Sequence, residues 1–77
     1  MSDNEGVMKG NQFIKTIRAY AKKHGIECQL DEARGKGSHV TLFLEDKMTI
    51  VRNPKDELKT GTFHAMLKQL GVKLEDL

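Results

Sequence analysis

Only one cysteine and one proline occur among the 77 residues, and there is no tryptophan. The lone Cys28 excludes an intramolecular disulfide and a thiolate zinc cluster, and it fits a reducing compartment. No apolar run approaches the roughly 20 residues a membrane-spanning helix needs. Residues 1–6 are polar, unlike the apolar stretch of a secretory signal. The expectation is a cytoplasmic protein with no membrane partner. His24, His39 and His64 lack the i, i+4 spacing of helical metal ligands, so neither metal nor cofactor is expected. A chain this short builds one thin, two-layered core without an internal cofactor pocket, which leaves function to the surface.

Acidic residues are also missing from one long stretch. None occurs between Glu5 and Glu27, a window that holds Lys9, Lys15, Arg18, Lys22 and Lys23. The net charge of +2 identifies no partner by itself, but its distribution is uneven. Arg34 and Lys36 form a second basic cluster, whereas acids gather at Glu45-Asp46, Asp56-Glu57 and the end of the chain. One side of the molecule is therefore expected to be cationic, as in nucleic-acid binders.

The periodicity predicts a loose leader over residues 1–10 and a single domain over 11–77. A first helix covers residues 12–24, with Phe13, Ile14, Ile17, Tyr20, Ala21 and His24 on one face and Lys15, Arg18 and Lys22 opposite. Asn11 is the expected N-cap and Gly25 the C-terminal glycine. A strand over 26–32 leads to the turn 33–37, whose two glycines permit close backbone approach. A second strand spans 38–45, a hairpin turn falls at Asp46-Lys47, and a third strand spans 48–52. Pro54 ends that strand, having no amide hydrogen for a ladder. A loop over 55–61 precedes a last helix, 62–70, with Phe63, Met66, Leu67 and Leu70 on its apolar face, then Gly71 and a tail, 72–77. This order is α-β-β-β-α: an α+β fold with two helices on one face of a three-stranded antiparallel sheet.

Within that frame His39 stands out. Alternation along Val40-Thr41-Leu42-Phe43-Leu44 sends Val40, Leu42 and Leu44 inward, which leaves His39, Thr41 and Phe43 on the open face. A titratable imidazole beside a basic, glycine-rich turn suits chemistry on a phosphodiester.

The layout is that of double-stranded RNA-binding domains. Gly35-Lys36-Gly37-Ser38-His39-Val40-Thr41-Leu42 resembles the Gly-Ser-His segment of the HicA family of toxin ribonucleases. So do Lys55-Asp56-Glu57-Leu58-Lys59-Thr60-Gly61-Thr62 and the later Met66-Leu67-Lys68-Gln69-Leu70-Gly71-Val72. The likeness runs over residues 9–73. It departs at Arg52-Asn53-Pro54-Lys55, where many members carry another histidine near the proline. The resemblance implies a toxin of a toxin–antitoxin pair, an endoribonuclease that cleaves messenger RNA. It also implies one essential histidine, which maps to His39, and a partner antitoxin of the HicB type.

Metal-free RNA cleavage needs a base that takes the proton from a ribose 2′-hydroxyl. An imidazole with an unperturbed pKa near 6.5 supplies a neutral fraction for this at physiological pH. Lys36 and Arg34 are the expected cations at the scissile phosphate, with the Gly37 backbone and the Ser38 hydroxyl beside them. Lys15, Arg18 and Lys22 would hold the flanking backbone through salt-dependent contacts that read no sequence. Dependence on the 2′-hydroxyl would exclude DNA as a substrate. His64 is the rival base, and His24 a capping or packing group. A non-catalytic RNA-binding module and a protein-interaction domain are the competing readings on the same fold.

Overall fold

A computed structural model describes residues 6–32 and 39–77. Strand β1 (Gly6–Lys9) runs directly into helix α1 (Gly10–His24). Strands β2 (Cys28–Asp31), β3 (Val40–Leu44) and β4 (Lys47–Val51) follow, then β5 (Glu57–Lys59) and helix α2 (Thr60–Leu70). A short 3₁₀ turn, Leu74–Asp76, comes after α2. The expected three-stranded antiparallel sheet is present in the order β2-β3-β4. Its register sets Cys28 opposite Leu44 and Asp31 opposite Thr41 on one side of β3. On the other side, Val40 faces Val51 and Leu44 faces Lys47.

Both helices cover the inner face of this sheet. Phe13, Ile14, Ile17 and Ala21 of α1 and Phe63, Met66, Leu67 and Leu70 of α2 are buried with Val40, Leu42, Leu44 and Val51. The Phe13 and Phe63 rings meet edge to face, 5.9 Å apart at 84°, the arrangement that ring quadrupoles favour. Thr49, the one buried polar residue of this core among the described residues, donates its hydroxyl proton to Gln69 Oε1 and so ties β4 to α2. Gly25 and Gly71 close the two helices with φ of 66° and 70°, the left-handed conformation in which glycine carries no Cβ penalty.

Four expectations need correction. From Gly6 to Lys9 the leader is a strand, paired antiparallel with Glu57–Lys59 inside the expected 55–61 loop. Helix α1 starts at Gly10, and no side chain caps it. The amide groups of Gly10 and Asn11 instead donate to the carbonyls of Asp56 (3.0 Å) and Pro54 (2.8 Å), which removes the need for a side-chain cap. Tyr20 packs against the core only in part, and His24, expected on the same apolar face, is exposed, its ring 4.4 Å from that of Tyr20. The hairpin turn is Glu45-Asp46, one position earlier than expected, with Glu45 at φ 56°.

Candidate active site

The site starts at the head of β3. Val40, Leu42 and Leu44 are 8%, 0% and 4% exposed, Thr41 and Phe43 are half buried, and His39 is exposed. The buried alternate residues fix which way the strand faces, and the exposed His39 immediately precedes it. Along that face, Gln29, Phe43 and Met48 make one cross-strand row, and Asp31, Thr41 and Ile50 the next. The ladder ends at the Val40–Val51 pair, and His39 precedes Val40 as Arg52 follows Val51, so the two residues leave the same end of the β3–β4 hairpin. Arg52 is exposed, and among the described residues it has neither a hydrogen bond nor an ion pair.

Behind Arg52 the chain turns sharply. Asn53 adopts φ 47°, a conformation asparagine tolerates better than most residues. Its side-chain amide donates to Asp56 Oδ2 at 2.7 Å, and the Asp56 amide donates to the Asn53 carbonyl at 2.9 Å. The bonds from Gly10 and Asn11 pin the same loop to the start of α1. Arg52 thus leaves a backbone that is held on both sides. Beyond it, an open groove of about 840 Å³ runs between β4 and the β5–α2 segment. Its walls include Met48, Ile50, Leu58 and Met66, and its charged groups Arg52, Lys59, Asp56 and Glu57 balance.

Arg34, Lys36, Gly37 and Ser38 lie outside the described residues. Lys15, Arg18 and Lys22 are exposed on α1, in the helix layer, with the core between them and the open sheet face. The structure therefore does not bring them together with His39. Arg18 instead acts on Cys28: burial pushes the half-buried thiol pKa up, and the Arg18 guanidinium partly opposes this. His64 is exposed in the second turn of α2, its ring 5.4 Å from that of Phe63, and so does not sit at the helix N-terminus where backbone amides gather. Among the described residues no group of three His, Cys, Asp or Glu side chains is placed to hold a metal ion, and no helix is long and apolar enough to cross a membrane.

Arg52 is the residue that sequence reasoning passed over. The signal was the hairpin register: only the Glu45-Asp46 turn pairs Val40 with Val51 and so brings Arg52 to the same end of the hairpin as His39.

A small α+β chain with helix, three antiparallel strands and helix in this order has the layout of a double-stranded-RNA-binding-domain-like fold. The family model for the HicA toxin of bacterial toxin–antitoxin systems matches residues 14–72, most of the chain, and the protein belongs to that family. It is the toxin side of such a pair, and the family implies an antitoxin partner. No curated protein and no solved structure matches the chain.

Proposed function

We propose that this toxin is an endoribonuclease that cleaves messenger RNA in the cytoplasm without a metal, with His39 as the acid/base group. The observation that carries the reading is the exposure of His39 on a strand whose next residue, Val40, is anchored in the core. One neutral imidazole nitrogen takes the 2′-hydroxyl proton, and the 2′-oxygen attacks the adjacent phosphorus. The 5′-oxygen of the next nucleotide leaves with a proton, and a 2′,3′-cyclic phosphate remains. General acid–base catalysis of this kind is worth roughly 10²–10⁴-fold, enough for a slow enzyme, and a toxin needs few turnovers per target.

In this reading Arg34, Lys36, Gly37 and Ser38, just before His39 in the sequence, contact the phosphate. Lys15, Arg18 and Lys22 sit on a separate layer and bind RNA only where it wraps around the edge of the domain. A HicB-type antitoxin neutralises the toxin by covering His39 and its turn. The test is incubation of RNA with wild-type and His39→Ala protein in the presence of chelator. Cleavage by the wild type alone is expected, with DNA left intact. Equal cleavage by both proteins removes His39 from the mechanism. RNA binding with a steep salt dependence but no cleavage identifies a non-catalytic binding module instead.

A further inference from the structure

We infer that Arg52 is a second catalytic residue, the cation that grips the phosphate attacked beside His39. This rests on the ribonuclease reading above and adds to its phosphate contacts one from the described residues. Three observations carry it. The β3–β4 ladder ends with the Val40–Val51 pair, so His39 and Arg52 are the next residue out from that pair on the two neighbouring strands. Both residues are exposed, and Arg52 has no partner among the described residues. Its backbone is fixed by the fully buried Val51 before it and by the Asn53–Asp56 loop after it, which is bonded to the start of α1.

This is how a phosphate-gripping arginine is best placed. The guanidinium fork presents paired N–H groups that match two non-bridging phosphate oxygens. As the 2′-oxygen bonds to phosphorus, negative charge accumulates on those oxygens. A cation already in position stabilises that charge without reorganisation. Asp31, one row further in and opposite Thr41, is the nearest carboxylate on this face. It lies on the β2 side of β3, whereas Arg52 continues from β4 on the other side.

The test compares wild type, Arg52→Gln, Arg52→Lys, Arg52→Ala and His39→Ala on one RNA oligonucleotide with chelator, alongside the unfolding temperature of each. Loss of a transition-state donor of this kind costs roughly 10²–10³-fold in turnover. Arg52→Gln is expected to fall by that factor with its unfolding temperature unchanged, and Arg52→Lys to fall less. Guanidinium ion added to Arg52→Ala is expected to restore part of the activity, which a purely structural role would not allow. Arg52→Gln within about threefold of wild type, with His39→Ala inactive, overturns the role of Arg52 and leaves the ribonuclease reading standing. Failure of guanidinium to restore Arg52→Ala likewise overturns it. A His39→Ala protein as active as wild type, or a wild type that cleaves no RNA, overturns both.

Discussion

Replacing Gly10 by alanine should destabilise the protein, although the same change at Gly61 should stabilise it. Both glycines lie in the first turn of a helix, Gly10 in α1 and Gly61 in α2, and helix propensity alone favours alanine over glycine by about 0.5–1 kcal/mol. Their surroundings differ. A Cβ on Gly61 would meet nothing within 4 Å, so the propensity gain stands unopposed. On Gly10 a Cβ would lie 2.7 Å from Pro54 Cα, 2.9 Å from Val51 Cγ1 and 3.1 Å from the Pro54 carbonyl oxygen. Pro54 cannot retreat without stretching the Asn11-to-Pro54 hydrogen bond of 2.8 Å, and Val51 is fully buried. Overpacking of this kind costs about 1–3 kcal/mol, which leaves a net loss of up to about 2.5 kcal/mol once the helix gain is subtracted. In a domain of this size 1 kcal/mol moves the unfolding temperature by about 4–8 °C. Thermal unfolding followed by circular dichroism should therefore show Gly10→Ala lower by up to roughly 20 °C and Gly61→Ala higher by roughly 2–8 °C. A Gly10→Ala protein above the wild-type temperature would refute the close docking of the Asn53–Asp56 loop on α1.

Two further changes test the core and the thiol. Gln69→Ala strands the hydroxyl of Thr49, which is 2% exposed, and should cost about 1–3 kcal/mol in urea unfolding. Thr49→Val leaves only an exposed glutamine to water and should cost less than about 1 kcal/mol; the reverse order would contradict the contact. Cys28, whose pKa burial raises, should react with iodoacetamide at mildly alkaline pH more slowly in the folded protein than in urea. Because the fold retains a proton that the unfolded chain loses, stability should decline as pH rises past the ordinary thiol value. Equal alkylation rates in the two states would show that the thiol is not shielded.

Strong periodicity made much of the fold legible. The inward set Val40, Leu42 and Leu44 and the α2 face Phe63, Met66, Leu67 and Leu70 were readable because each repeats at the period of its element and is buried as that period requires. The paired strands β1 and β5 were not. They hold four and three residues, and β1 buries no side chain fully, so neither carries enough alternation to announce itself, and their pairing links distant parts of the chain. Tyr20 is only partly buried because it sits at the margin of the α1 apolar arc, where the ring of His24 competes with the core as its neighbour. The exposure of His39 was legible from local pattern alone. Arg52 required the register, which a one-residue error in the turn conceals.

The β1–β5 ladder has a consequence for the order in which this toxin takes shape. Gly6–Lys9 emerges early in synthesis, yet its partner Glu57–Lys59 and the carbonyls of Pro54 and Asp56 that receive the first amides of α1 emerge late. Such distant pairings close after local ones. The rim beside Arg52 accordingly closes only once residues 54–59 have been made and can pair back onto Gly6–Lys9 and the start of α1.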